Sequence, residues 1–127
     1  MHSLPTILVV EDEKLLLDIL VVELEDAGFQ VLQAISYEVA LSYLEAQAPI
    51  DALITDIRLP HRRSGWDLAE HARSLLPNLP VIYVSGFSHE APREVAGSVM
   101  FAKPYRVSAI VQAIRDFGVG VNLQEAG

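Results

Sequence analysis

The residues able to do chemistry are few. They are the acidic run Glu11-Asp12-Glu13, a lone Asp56, the pair Ser85-Gly86 and Lys103, which Pro104 follows. Carboxylates crowded within a few ångströms cannot all stay ionised without a counter-charge. A hard divalent cation with oxygen ligands meets that need. Mg²⁺, or Mn²⁺ in its place, suits one or two carboxylates, a carbonyl and a phosphate better than a full protein cage. Lys103 would add a fixed cation, Ser85 a hydroxyl donor, and Gly86 a backbone free to approach closely. Together these groups describe a phosphoryl site, with one carboxylate as nucleophile and the rest neutralising charge in transfer.

The chemistry requires that the fold bring these residues to one place, and the pattern of elements does so. Thr6-Ile-Leu-Val-Val10 and Asp51 to Thr55 read as strands buried on both faces, as in a parallel sheet. Further strands are expected at Gln30–Gln33, Val81–Val84 and Ser98–Ala102. Helices alternate with them. The first covers 13–27 and stops at Gly28; the second is capped by Ser36 and ended by Pro49. A third runs through Trp66, Leu68, Ala69, Ala72 and Leu75, a short fourth lies at Ala91 to Ala96, and a fifth spans 106–117. This is an α/β fold, a doubly wound five-stranded parallel sheet of order 2-1-3-4-5 with five helices. Glu11-Asp12, Asp56, Ser85 and Lys103 then end strands one, three, four and five on the same edge, where ligands bind in open α/β sheets.

At 127 residues the chain reads as one domain over 1–127, with a core of about 6–117 and a flexible tail over 118–127. An apolar content of 51% excludes a disordered chain, and the absence of cysteine excludes disulfides and thiolate metal sites. Neither a signal peptide nor an apolar run of membrane-spanning length is found, so a cytoplasmic protein without membrane insertion is expected. Of the net charge of −8, residues 1–57 hold eleven acids and one base. Such an acidic half repels phosphate backbones and argues against direct binding to nucleic acid.

The motifs Val9-Val-Glu-Asp-Glu13, Thr55-Asp-Ile-Arg-Leu-Pro60, Val84-Ser-Gly86 and Lys103-Pro104, in that order and in register with the strands, resemble the receiver domain of two-component response regulators. The likeness runs from about Thr6 to Ile114. It implies a CheY-like (flavodoxin-like) fold and a phosphoacceptor switch that assists its own phosphorylation and dephosphorylation rather than a turnover enzyme. Asp56 would accept the phosphoryl group from a histidine kinase or phosphotransfer protein. Asp12 would bind Mg²⁺ directly, Glu11 through water, and Asp56 with the Arg58 carbonyl would complete the protein ligands. Lys103, Ser85 and the amides of Ile57 and Gly86 would contact phosphoryl oxygens, and Pro104, a candidate for a cis bond, would direct Lys103. Kinases of this family grip the first helix, which points to Leu15, Leu16 and Ile19 as docking residues.

The sequence departs from the pattern in places. Glu11 replaces a more frequent Asp, and Ser85 stands where Thr is also common. The loop Pro60–Gly65 is one residue longer than the commonest form, and the chain between Ser85 and Lys103 is shorter. Met100 occupies the position of the usual switch aromatic, a role Phe101 could take instead. His61-Arg62-Arg63 reads as a solvated loop, with attraction of an acidic partner as the alternative. Arg58 either pairs with Glu11 or is a free surface arginine. The histidines at 2, 61, 71 and 89 lack ligand spacing. Leu15, Ile19 and Val22 form a second apolar stripe on the first helix, expected to be partly exposed. Rival functions are a haloacid-dehalogenase-type phosphotransferase, opposed by Arg58 where a second acid is needed, and a receiver-like interaction module that works without phosphorylation. A regulator standing alone, a receiver cut from a hybrid kinase, and homodimerisation all stay open.

Overall fold

The structure is a computed structural model that describes residues 4–86 and 92–120. Five parallel strands form the sheet: β1 (Thr6–Val10), β2 (Gln30–Ala34), β3 (Ala52–Asp56), β6 (Val81–Ser85) and β7 (Val99–Ala102). Between β3 and β6 the chain adds a two-stranded hairpin, β4 (Arg58–Leu59) with β5 (Arg63–Ser64). The sheet order β2-β1-β3-β6-β7 is the expected 2-1-3-4-5 once the hairpin is set aside. Every residue of β1 and β3 is buried, as the apolar runs Ile7–Val10 and Ala52–Ile54 lead one to expect, and Thr6, Thr55 and Asp56 are buried with them.

Among the described residues the α-helices are α1 (Lys14–Asp26), α2 (Tyr37–Glu45), α3 (Gly65–Leu75) and α4 (Val107–Asp116). Gly28, at φ 98°, ends α1 in the left-handed conformation that a side chain disfavours, and the Phe29 amide closes back on the Leu24 carbonyl at 3.1 Å. Ser36 and Ser64 cap α2 and α3 by accepting from the amides of Val39 and Asp67. One face of the sheet packs α1 and α4 over Ile7, Val9, Ile54, Ile82 and Val84. The other packs α2 and α3 over Leu8, Val10, Leu53, Val81 and Tyr83. Among the described residues, no helix is long and apolar enough to cross a membrane.

Two expectations change here. The short fourth helix does not form over 92–96; position 91 lies outside the described residues. That segment instead lies along α3. Arg93 donates to Asp67 and Glu70 at 2.8 and 2.7 Å, Arg73 donates to the Ala96 carbonyl at 2.8 Å, and the Val95 amide donates to the Tyr83 hydroxyl at 3.1 Å. These tertiary partners outcompete a helix of barely one turn, whose nucleation is unfavourable by itself. The core also extends past 117, because Val119 packs against the α1–α4 layer. The rest of the expected tail, residues 121–127, lies outside the described residues.

Candidate functional site

Asp56 is the last residue of β3 and is 4% exposed, so its carboxylate reaches the sheet edge without leaving the protein. Glu11 follows β1 directly, and β1 is the neighbour of β3. Its backbone amide bonds the Ala34 carbonyl at 2.9 Å, which holds it beside β2. At 1% exposed, Glu11 is more buried than Asp56. Lys103 directly follows β7 and is joined to Pro104 by a cis bond, and its amide donates to the Ser85 carbonyl at 2.8 Å. Its ammonium therefore reaches the acids from the far side of β6.

Lys103 Nζ donates to Glu11 Oε1 at 2.9 Å and lies 2.8 Å from Asp56 Oδ1. The second contact is a close ion pair without the direction of a hydrogen bond, so the buried Oδ1 keeps an unfilled acceptor site. Glu11 Oε2 accepts from the Glu13 amide at 3.2 Å. Burial, reinforced by Glu11, pushes the Asp56 carboxyl up to about 8 against the pull of Lys103. For Glu11 burial acts upward too, but hydrogen bonds from Asp56, Lys103 and the Glu13 amide together hold it below its usual range. Burial opposes the Lys103 charge, yet the two carboxylates hold the ammonium above its usual range. Of the two buried acids, Asp56 is thus the one whose ionised form the metal-free site disfavours.

One carboxylate oxygen from each of Glu11, Asp12 and Asp56 lies within 4.8 Å of the others. The donors are all hard oxygens, two of them buried, and Asp56 Oδ1 has room for a further partner. That set fits a small divalent cation. Asp12 itself is exposed, which leaves one side of the cluster open.

The other expected residues fall as follows. Ser85 ends β6, half-buried, and Gly86 follows it in an exposed bend. The Ile57 amide donates to the Val84 carbonyl at 3.1 Å, extending the β3–β6 ladder, and is not free in this state. Arg58 is exposed, and Glu11 pairs with Lys103 instead. Met100 lies opposite Tyr83 on β7 and is 41% exposed, while Phe101 is half-buried against the α1–α4 layer. On α1, Leu15 and Ile19 are 71% and 47% exposed, as the second stripe predicts, and Val22 continues it; Leu16, expected on the core face, is half-buried.

Two residues escaped the reading of the sequence. A Cβ on Gly65 would stand 2.0 Å from the Asp56 carbonyl oxygen, so only glycine lets α3 begin against the backbone that carries the acceptor. Its place at the end of the loop after Asp56 was the available signal. Tyr105, just past Lys103-Pro104, buries a hydroxyl that finds no partner among the described residues. Burial and the nearby Glu11 push that hydroxyl up to about 12.

The family model described as the response regulator receiver domain matches residues 7–115. The chain belongs to the response-regulator receiver family. Receiver domains are the phosphoacceptor switches of two-component signalling, and the described fold is theirs. A response regulator receiver protein from Sinorhizobium medicae has a similar structure, with a TM-score of 0.86 and 34% identity over 91% of this chain and 94% of that one. The response regulator receiver protein CpdR of Brucella abortus is 30% identical over 85% of this chain and 92% of its own length. A probable transcriptional regulatory protein from a Picosynechococcus strain is 31% identical over 86% of this receiver domain, which spans only 47% of that relative. Several curated relatives are thus about twice as long as this chain.

Proposed function

We propose that this single receiver domain accepts a phosphoryl group on Asp56 from a sensor histidine kinase or a histidine phosphotransfer protein. The observation that carries the reading is the buried Asp56 carboxylate, held at the ligand-binding edge between Glu11 and Lys103. An Asp56 oxygen attacks the donor phosphorus, the bond from phosphorus to the leaving group breaks, and an acyl phosphate forms. Lys103 lies where it can neutralise the phosphoryl oxygens, and the Ser85 hydroxyl and Gly86 amide can donate to them. A divalent cation, Mg²⁺ or Mn²⁺, would be held by Glu11, Asp12, Asp56 and the Arg58 carbonyl, and would offset the charge of acids and phosphate together. The exposed Leu15 and Ile19, with Leu16 beside them, offer the partner an apolar grip next to the acids. The setting proposed is the cytoplasm.

Incubation with acetyl phosphate and Mg²⁺ tests the reading by intact mass. One added phosphoryl group is expected with Mg²⁺ present, and none when a chelator is present from the start. No labelling would leave a receiver-fold interaction module that works without phosphorylation, and labelling indifferent to the divalent ion would overturn the assigned site.

A further inference from the structure

The seven residues from Arg58 to Ser64 hold three of the chain's nine lysines and arginines, a histidine and no acid. Arg63 is occupied, with its guanidinium 4.6 Å from the centre of the Tyr37 ring and 3.9 Å from Glu38. Arg58 and Arg62 are exposed and pair with no acid among the described residues. The extra loop residue noted in the sequence has become a hairpin that presents these two cations.

The turn is costly to hold. The Arg63 amide donates to the Pro60 carbonyl, and the two residues between, His61 (φ 63°, ψ 34°) and Arg62 (φ 60°), are both left-handed, as in a type I′ turn. Asn-Gly is the favoured pair for such turns. A left-handed residue with a side chain costs roughly 1–2 kcal/mol; histidine visits the region more often than most, arginine does not. The base of the hairpin over-determines the turn. Arg58 pairs with Ser64, Leu59 with Arg63, and the Gly65 amide bonds the Ile57 carbonyl at 2.6 Å. An arginine therefore sits where glycine would be cheaper.

The hairpin also stands on the acceptor's own backbone, since Gly65 abuts the Asp56 carbonyl. Arg62 at its tip is three residue steps along the chain from Gly65, roughly 10 Å of extended chain. A Debye length is also about 10 Å at 0.1 M salt. Meanwhile the net charge of −8 and the run Glu11-Asp12-Glu13 repel any anionic donor.

We propose that Arg58 and Arg62 form an anion-steering arm that draws doubly charged phosphodonors, acyl phosphates foremost, to Asp56. The inference rests on Asp56 being the acceptor. Its test compares labelling rates with acetyl phosphate, doubly charged at neutral pH, and phosphoramidate, which carries one net charge. In the Arg58→Gln/Arg62→Gln double variant, labelling by acetyl phosphate at low ionic strength should slow roughly three- to tenfold, the lower end of what charge focusing achieves. Arg62→Glu should slow it more than Arg62→Gln. The loss should shrink as salt is added and be smaller with phosphoramidate. Arg115→Gln removes one such charge, as Arg62→Gln does, but far from the edge, where Arg115 bonds the Ala27 carbonyl at 3.3 Å, and should leave the rate unchanged. An unchanged rate in the double variant, an equal loss with both donors at all salt concentrations, or an equal loss in Arg115→Gln would each overturn the arm. Failure of the unsubstituted protein to label with either donor would overturn the acceptor reading, and the arm with it.

Discussion

Gly65 and Asp56 meet backbone to side-chain space, and both can be tested by single substitutions. A methyl group at 65 would stand 2.0 Å from the Asp56 carbonyl oxygen and 2.9 Å from its carbon, atoms that cannot swing aside. Gly65→Ala should therefore lower stability by about 1–3 kcal/mol, the usual cost of overpacking, in urea unfolding. It should also slow labelling of Asp56, because relief of the clash moves the acceptor. At Asp56 the sign is reversed. The folded pKa of about 8 lies above the ordinary carboxylate value of 3.8, so between those values the unfolded chain has released a proton that the folded protein keeps. This group thus costs the metal-free protein stability progressively as pH rises from about 4 to about 8. In chelator, Asp56→Asn should be more stable than the unsubstituted protein, on the order of 1–2 kcal/mol near pH 8, with the gain vanishing near pH 4. Equal stability at both pH values would show that the buried acids are not in conflict.

At the scale of elements, α1 and the segment 92–97 carry the sharpest expectations. Ile19 is 47% exposed on a helix whose core face, Leu17, Leu20, Val21 and Leu24, is already buried, so Ile19→Asp should leave the fold intact. It should slow phosphotransfer from the cognate protein donor by tenfold or so, about 1.4 kcal/mol, while labelling by acetyl phosphate stays unchanged. Normal transfer by a folded variant would remove α1 from the docking surface. The segment 92–97 is tied to α3 and to Tyr83, whose ring packs 4.6 Å from that of Trp66. Tyr83→Phe keeps the ring and deletes the acceptor for the Val95 amide. It should cost about 1 kcal/mol and speed exchange of that amide without altering α4. Met100 is exposed, and the fourth helix is not formed over 92–96. Beryllofluoride should accordingly shift amides in 92–97 more than those in 107–116. Large shifts along α4 that Met100→Ala abolishes would instead place the read-out at Met100.

For the whole molecule, the sheet and its reactive edge were legible because both depend on local patterns. Apolar runs end in Glu11, Asp56, Ser85 and Lys103, and an alternating α/β order sends every strand end to one side. The hairpin was legible only as a surplus residue, since His61-Arg62 lacks the Asn or Gly that signals a left-handed turn. The missing helix was not legible. Ala91 to Ala96 is barely one turn and holds Pro92 and Val95, so its helix is weak by itself; what displaces it is a set of partners on α3, Asp67 and Glu70, that are distant in sequence. Gly65 matters through a contact with Asp56 that exists only after folding. The account of the molecule as a switch therefore stands or falls on Asp56. After labelling with acetyl phosphate and Mg²⁺, borohydride converts an aspartyl phosphate to homoserine, which peptide mass spectrometry can locate. The structure predicts homoserine at position 56 in the unsubstituted protein and none there in Asp56→Asn. Reduction at Glu11 or Asp12, or a label that yields no reduced acid at all, would contradict it.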